Sequence, residues 1–190
     1  MSIKKIMVLA GGSDQADLIE VLRDKFPACE IILIDMASNV VASKFADRHL
    51  VVSTMDFNAV RNVAIEERVD CIMTACGDQP LITMAVVSEE LGLPCYLTKA
   101  QALNMTNKLY MKRLMVDNGI PTSNFLKINN INEDISKLKY PLMIKPADCN
   151  GSLGVRKANN KEQFIEFFTQ AQEYSISNSA IVEEFKEGKE

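Results

Sequence analysis

The sequence predicts an α/β chain in two parts: a parallel sheet with helices on both faces, followed by a smaller α+β unit. Over the first hundred residues, short β-rich runs alternate with amphipathic segments, as in a parallel sheet covered by helices. From about residue 100 this alternation gives way to one long helix and then to a second group of strands. We therefore expect a first domain at 1–100, a connecting helical segment at 101–121 and an incomplete second domain at 122–190.

The first part is predicted to contain five strands and three helices. Its strands are expected at 5–9, 31–34, 49–52, 71–75 and 93–96. In the first helix, apolar residues recur at helical spacing at positions 18, 21, 22 and 26. Asp56 is expected to cap the second helix, with apolar residues 57, 60, 63 and 64 on one face. The third helix follows Gly77-Asp78-Gln79-Pro80, and Gly92 lies just beyond its end, where glycine favours termination.

The second part is predicted to begin with a single helix over 106–118, stopped by Gly119, with Tyr110, Met111, Leu114 and Met115 as its apolar residues. An extended piece at 124–128 and a strand at 142–145 follow. A glycine-containing loop at 148–154 then leads to a short strand at 155, a helix at 161–172 and a last strand at 180–185. These elements form the smaller α+β unit.

Composition excludes several classes of protein. The 190 residues are 47% hydrophobic and 24% charged, which is typical of a globular chain. No apolar run is long enough to span a bilayer and no secretory signal opens the sequence, so we expect a cytoplasmic protein. Five cysteines at irregular spacings, without a CxxC pair, indicate reduced, half-buried thiols rather than disulfides or a zinc site.

The distribution of charge suggests where an anion binds. The net charge is −4, but residues 1–100 carry 9 basic and 14 acidic side chains, whereas residues 101–190 carry 12 and 11. An anion is therefore expected in the second part. A pI near 5.2, without basic clusters or tryptophan, argues against nucleic acid, so the anion should be small.

The strongest local signal is the run from Tyr140 to Val155. Lys145 ends an apolar strand, where a lysine gains little from burial unless it meets an anion. Asn150, Gly151 and Gly154 then allow a tight loop whose backbone N–H groups converge on phosphate oxygens, and Ser152 adds a hydroxyl donor. Two alternatives stay open at this point: Asn-Gly is also a common hairpin signal, and Lys145 could pair with a nearby carboxylate.

Two further features carry weaker signals. Lys108 lies in the first turn of the predicted helix, after the potential caps Thr106 and Asn107, where a phosphate would benefit from the helix N-terminus. Its alternative is an ordinary solvated lysine. The last strand runs into charges from Glu183 onward, so its backbone could bind a purine edge while a carboxylate binds ribose, or the charges could simply be solvated.

The first part of the chain contains weaker candidates for a functional site. Gly11-Gly12 forms a strand-to-helix turn but lacks the GxGxxG spacing, which argues against a nicotinamide-dependent oxidoreductase. Asp35 and Asp78 are interpreted as caps, and His49 as structural because no triad surrounds it. A rival interpretation is a non-catalytic small-ligand-binding module that uses the crevice around Gly11, Asp35 and Asp78.

Taken in order, Lys108 with the following Gly119-Ile120-Pro121, the run from Pro141 to Val155, and the run from Val182 to Glu190 resemble the ATP-grasp superfamily. The resemblance covers the whole chain. The first hundred residues look like the Rossmann-like domain that precedes the ATP-grasp domain, and the rest looks like its small lobe. The general pattern is similar to the large subunit of carbamoyl-phosphate synthase and to related carboxylate–amine ligases.

This resemblance implies a role for each candidate site residue. Two lysines would bind the ATP phosphates, and the loop would close over them: Lys108 and Lys145, with Asn150, Gly151, Ser152 and Gly154. The last strand would be a hinge whose backbone contacts adenine, formed by Glu183, Glu184, Phe185 and Lys186. Glu190, seven residues after Glu183, would bind ribose.

The implied reaction is ATP-dependent phosphorylation of a carboxylate to an acyl phosphate, which an amine or another nucleophile then attacks. It requires Mg²⁺, whose ligands would lie beyond residue 190, so no catalytic residue or metal ligand is assigned within the chain. We therefore expect no turnover from these 190 residues alone. The expected partners are ATP and small carboxylate and amine substrates, not nucleic acid or a membrane, and a homodimer is left open.

Overall fold

The computed structural model describes residues 3–149, 152–175 and 177–188. Contacts between residues divide the chain into two compact units, Met1–Leu103 and Asn104–Glu190. Each unit contains its own sheet and its own apolar core.

The first unit is built on four parallel strands. These are β1 (Lys5–Leu9), β2 (Glu30–Asp35), β3 (Arg48–Val51) and β4 (Cys71–Met73), in the spatial order β3-β2-β1-β4. Its helices are α1 (Ser13–Lys25), α2 (Phe57–Glu67) and α3 (Asp78–Leu91), with a 3₁₀ turn at Val41–Lys44. The strands and helices thus alternate in the order that the sequence pattern predicts for the first hundred residues.

Successive side chains of β1 enter two different cores, because a strand alternates its faces. Ile6 and Val8 pack in a cluster that includes Ile19 of α1. Met7 and Leu9 pack in a second cluster that includes residues of α2 and α3. Helices therefore cover both faces of the parallel sheet, as a doubly wound architecture requires.

Several local predictions for the first unit are wrong. The buried side of α1 is formed by Gln15, Ala16, Ile19 and Leu22, whereas Val21 and Phe26, predicted to be apolar contacts, are exposed. Gly77, and not Asp78, is the N-cap of α3. Cys29 and Cys71 are fully buried and Cys76 is exposed, so the thiols are not uniformly half-buried.

The predicted fifth strand at 93–96 is also wrong, since among the described residues this sheet ends at β4. Pro94 has no N–H group with which to join a ladder. The Tyr96 hydroxyl instead donates a hydrogen bond to the Thr74 carbonyl at 3.1 Å. A side chain, rather than backbone pairing, therefore ties this segment to the end of β4.

The predicted helix over 106–118 is confirmed as α5 (Lys108–Asp117). A helix that was not predicted, α4 (Lys99–Thr106), precedes it, and most of α4 belongs to the first unit. Asn107 has an extended backbone, and its side chain accepts hydrogen bonds from the N–H groups of Leu109 and Tyr110 at 3.0 and 3.2 Å. Asn107, one of the two expected caps, is therefore the N-cap of α5.

An antiparallel sheet forms the rest of the second unit. Its strands are β5 (Phe125–Ile128), β6 (Leu142–Pro146), β7 (Arg156–Ala158) and β8 (Ala180–Glu184), in the order β5-β8-β6-β7. Helix α6 (Lys161–Tyr174) supplies Phe164, Phe168 and Ala171 to a core with Leu142, Ile144 and Val182. One face of this sheet is therefore apolar and covered by α6.

The register between β6 and β8 places the charged residues on the other face. Lys145 lies opposite Ile181, and Met143 lies opposite Glu183. Directly opposed residues of neighbouring strands point to the same side, so Lys145 and Glu183 share the face that α6 does not cover. Within the part of the chain that the structure describes, no helix has the length and apolarity to cross a membrane.

Candidate functional site

A cavity of about 160 Å³ lies in the second unit, between α5 and the face of the sheet that carries Lys145. It is lined by Lys108, Met111, Lys112, Met115, Lys145, Ile181 and Glu183. The four α5 residues share one side of the helix because positions three and four apart are neighbours. Tyr110 and Leu114, which the sequence predicts as apolar contacts of this helix, are exposed instead.

Glu183 is the centre of the charged groups in this cavity. Its side chain is only 7% exposed and forms ion pairs with Lys145 through Oε1 and with Lys112 through Oε2. The Ser123 hydroxyl donates to the same Oε2 at 2.8 Å. The Lys112 ammonium also donates to the hydroxyls of Thr122 and Ser123, at 2.8 and 2.7 Å. One carboxylate thus connects a strand, a helix and the segment between α5 and β5.

The electrostatics of the cavity favour an anion. Burial by itself raises the pKa of Glu183, but the hydrogen bonds from Lys112, Lys145 and Ser123 outweigh burial and bring the pKa below its usual value. The carboxylate is therefore ionised at neutral pH. Three lysines and this one carboxylate line the cavity, so its lining carries two formal positive charges in excess.

Lys108 contacts the loop between β6 and β7. Its ammonium donates to the Cys149 carbonyl, at the start of the predicted phosphate loop. The same end of the loop is anchored by Asp148, whose carboxylate accepts hydrogen bonds from the Ser175 hydroxyl at 2.7 Å and the Ser177 N–H at 2.8 Å. Lys108 and Lys145 therefore line one cavity next to the loop, as the hypothesis of a shared phosphate site requires.

The far side of the loop has a strict requirement for glycine. Gly154 has a φ of +73°, and a Cβ there would lie 2.8 Å from the Tyr174 ring and 2.9 Å from Pro146. Ser152 also adopts a positive φ, of +57°, and its side chain is exposed. Two predicted members of the loop, Asn150 and Gly151, lie outside the described residues.

The side chains of the predicted hinge residues do not share one site. Glu184 points to the opposite face from Glu183, and its carboxylate accepts hydrogen bonds from the Lys139 N–H, the Asn124 amide and the Lys186 ammonium at 3.0–3.2 Å. The hydrogen bond from Lys186, followed by that from the Lys139 N–H, lowers the pKa of Glu184. Its side chain thus orders the neighbouring segments and does not enter the cavity.

Phe185 and Lys186 follow the end of the regular strand. The Phe185 N–H donates to the Pro141 carbonyl at 2.9 Å, and the Lys157 ammonium lies 3.7 Å from the centre of the Phe185 ring. Lys186 is exposed apart from its ion pair with Glu184. The predicted ribose ligand, Glu190, lies outside the described residues.

Sequence reasoning missed Lys112. Its position four residues after Lys108 was the available signal, because that spacing places both ammonium groups on one side of a helix. One of the two alternatives left open for the Lys145 run is present in the structure, since Lys145 pairs with a carboxylate, that of Glu183. Strands β6 and β7 form an antiparallel pair, but Asn150 and Gly151, on which the hairpin alternative depends, lie outside the described residues.

In the first unit, the predicted caps and the lone histidine have structural contacts. The Asp35 carboxylate accepts hydrogen bonds from the N–H groups of Gly11 and Ala37, both at 2.8 Å. A side-chain nitrogen of His49 lies 3.3 Å from the Asp35 carbonyl oxygen. Asp35 thus holds the strand-to-helix turn together, which is the role that the sequence analysis favours for it.

Two sequence comparisons match this chain to ligases and a transferase. The family model described as D-ala D-ala ligase C-terminus matches residues 114–190. A formate-dependent phosphoribosylglycinamide formyltransferase of Ignicoccus hospitalis is 29% identical over 165 residues, covering 83% of this chain and 40% of that protein. A D-alanine–D-alanine ligase of Prochlorococcus marinus is 34% identical over 90 residues, covering 41% of this chain and 25% of that protein. The chain spans less than half the length of these curated relatives.

Solved structures extend the match over nearly the whole chain. The biotin carboxylase domain of Hydrogenobacter thermophilus 2-oxoglutarate carboxylase, crystallised with MgADP, ADP and bicarbonate, superposes with a TM-score of 0.75 at 19% identity. The superposition covers 98% of this chain and 45% of that one. The predicted fold class is confirmed, since such neighbours are ATP-grasp folds. Residues 114–190 thus match the family model of the D-ala D-ala ligase C-terminus, and the chain has the fold of these ATP-grasp neighbours.

Proposed function

We propose that this chain supplies one side of the ATP cleft of an ATP-grasp ligase that phosphorylates a carboxylate to an acyl phosphate. An amine or another nucleophile then attacks the acyl phosphate. The match of residues 114–190 to a ligase family model and the ATP-grasp fold of the chain support the class of reaction. The observation that carries the proposal is the convergence of Lys108, Lys112 and Lys145 on one cavity beside the glycine loop.

The size of the cavity limits what it can bind. Pockets that enclose a drug-sized ligand measure roughly 300–1,000 Å³, and this one is about 160 Å³. It therefore suits phosphate groups rather than a whole nucleotide. Rotatable ammonium donors on Lys108 and Lys145 can follow phosphate oxygens as they move, and the loop at 148–154 would cover them.

The adenosine part is assigned to the strand end. In this proposal the backbone from Glu183 to Lys186 contacts adenine, and Glu190 binds ribose. The chain leaves the regular strand after Glu184, so the backbone of the following residues is less committed to the sheet ladder. The MgADP complex of the Hydrogenobacter neighbour supports a nucleotide site in this fold.

The proposed reaction requires magnesium. Within the described residues, no group of three or more histidine, cysteine, aspartate or glutamate side chains could hold a metal ion. We therefore propose that the metal ligands of the ligase lie outside the described residues. When bound, Mg²⁺ would neutralise phosphate charge, while the contribution of this chain is to orient the phosphates.

The finer assignments are proposals from the sequence resemblance. The relatives act on different substrates by their names, and we propose, from the resemblance of the sequence to carbamoyl-phosphate synthase, that the ligase is a carboxylate–amine ligase. We propose a cytoplasmic enzyme whose carboxylate and amine are small molecules, with a homodimer as one assembly to test. Substrate groups would be selected by residues outside the cavity, because phosphate would occupy the cavity.

Calorimetric titration of the chain with ATP tests the phosphate assignment. Lys145→Ala should weaken ATP binding by roughly 10- to 100-fold, since a hydrogen bond to a charged group contributes about 1.5–3 kcal/mol. The matched control is Lys127→Ala, which removes an exposed lysine from the same sheet that does not line the cavity. Equal ATP affinity in wild type and Lys145→Ala would refute the assignment.

The expected lack of turnover has its own test. The chain is incubated with ATP, Mg²⁺ and a panel of small carboxylates, and ADP release is followed. We expect no release above the background rate, because the metal ligands are assigned elsewhere. Release at an enzyme-like rate would mean that the 190 residues contain a complete active site.

A further inference from the structure

Lys145 has two competing partners: Glu183 in this structure and a phosphate group in the proposed site. In this structure its ammonium pairs with Glu183, and this carboxylate is its one partner among residues 3–149, 152–175 and 177–188. The proposed phosphate site requires the same ammonium. A carboxylate that is only 7% exposed cannot lose its counter-charge without a large cost, so something else must neutralise Glu183 when Lys145 turns to an anion.

Lys112 has the geometry for that role. A lysine ammonium has three donors, and three acceptors surround this one: the hydroxyls of Thr122 and Ser123 and Oε2 of Glu183. All of its donors are therefore committed within the protein. Among the described residues, Lys145 by contrast uses only one of its three donors, on Glu183.

The two oxygens of Glu183 are also divided between the lysines. Oε1 faces Lys145, while Oε2 faces Lys112 and accepts from Ser123 at 2.8 Å. Movement of Lys145 away from the carboxylate would thus release Oε1 alone. The hydrogen bonds on Oε2 would keep Glu183 in place and charged.

We infer that Lys112 is a positioning residue, which holds and neutralises Glu183 so that Lys145 can transfer from this carboxylate to a phosphate group. The inference rests on the proposed phosphate site. Without Lys112, Glu183 would keep Lys145 and would also repel the incoming anion. Lys112 would therefore raise the affinity for ATP without contacting it.

The test measures calorimetric affinity for ATP and for adenosine, which lacks phosphate. Lys112→Gln should weaken ATP binding on the order of tenfold, because an unneutralised carboxylate then faces the anion at short range. Adenosine binding should not change. Removing the opposing charge as well, in Lys112→Gln/Glu183→Gln, should restore ATP affinity to within about threefold of wild type.

Two further variants control for charge and for folding. Arg113→Gln removes one positive charge from the exposed side of the same helix and should leave ATP affinity unchanged. Lys112→Arg keeps the charge and should retain most of the ATP affinity. If Lys112→Gln fails to fold by circular dichroism, the comparison of Lys112→Arg with and without Glu183→Gln replaces it, and the inference then requires that Glu183→Gln does not weaken ATP binding.

Each outcome separates the inference from the proposed function. If wild type binds ATP and Lys145→Ala weakens it, but Lys112→Gln binds like wild type, the inference is wrong and the phosphate site stands. If Lys112→Gln binds ATP more weakly than wild type, and the added Glu183→Gln does not restore the affinity, then Lys112 contacts phosphate or merely supports the fold. The inference is again wrong in that case. If wild type does not bind ATP, the proposed phosphate site and the inference are both wrong.

Discussion

Removal of the Glu183 carboxylate should destabilise the second unit. In Glu183→Ala, the ammonium groups of Lys112 and Lys145 lose their shared counter-ion, and the Ser123 hydroxyl loses an acceptor. Breaking a fully buried ion pair costs about 3–5 kcal/mol. The side chains of Lys112 and Lys145 are 17% and 29% exposed, so water can solvate each of them in part. We therefore expect a loss of about 2–3 kcal/mol in the free energy of unfolding.

Two measurements test whether the lost stability arises at this site: where the protein opens, and whether an added anion restores the stability. Urea denaturation gives the free energy, and hydrogen exchange of the β8 amides reports whether the second unit opens. Inorganic tripolyphosphate should stabilise Glu183→Ala more than wild type, because it supplies the missing negative charge. Lys127→Ala, on the same sheet, serves as the control. A variant as stable as wild type, with no added effect of tripolyphosphate, would refute the electrostatic account of the cavity.

The sign of the pH dependence follows from the lowered pKa of Glu183. Because the unfolded carboxyl, with a pKa of about 4.3, binds a proton more readily, the contribution of Glu183 is complete above that pH. It is lost as pH falls through the folded value. The difference in stability between wild type and Glu183→Gln should therefore be largest at neutral pH and shrink in acid. A difference that grows below pH 4 would contradict this assignment.

Three other predictions concern the fold. Gly154→Ala should cost at least about 1–2 kcal/mol, because its φ of +73° is unfavourable for any side chain even before the clashes, and thermal unfolding would show it. Phe168→Ala, at a fully buried position, should cost about 3–5 kcal/mol in urea denaturation, whereas the exposed Ile165→Ala should cost less than about 0.5 kcal/mol. The hydrogen bonds from Arg48, followed by those from Lys5, lower the pKa of Glu67 to about 2. Glu67→Gln should accordingly reduce the loss of melting temperature between about pH 4.3 and pH 2, and an unchanged acid profile would exclude this ion pair as its cause.

Most elements of the fold are predictable because local patterns determine them. Short apolar runs mark β1, β2, β6 and β8, and Asp56 caps α2 as expected, with its carboxylate accepting from the Ala59 N–H at 3.0 Å. The failures are of two kinds. Helix α4 was not predicted, and the apolar segment at 93–96 does not join the sheet among the described residues, where Pro94 lacks an N–H group.

The site was predictable in part for a similar reason. Lys108 and Lys145 could be selected as candidates because each lies at a position where a solvated lysine is unexpected or a helix N-terminus is available. The pairing of Lys145 with Glu183 depends on the register of β6 against β8, which shorter-range patterns do not specify. Lys112 becomes significant only once that register brings Glu183 beneath α5.

A cavity that must bind a polyanion has opposing requirements before and after binding. Three ammonium groups without a counter-charge would repel one another and weaken the fold, whereas a fully neutralised cavity would not attract phosphate. One carboxylate among three lysines lies between these limits, since it stabilises the unit and still leaves two positive charges for the ligand. Stability and anion affinity are therefore opposed through the charge of Glu183: its neutralisation should lower the first and raise the second, whereas loss of Lys112 should lower both.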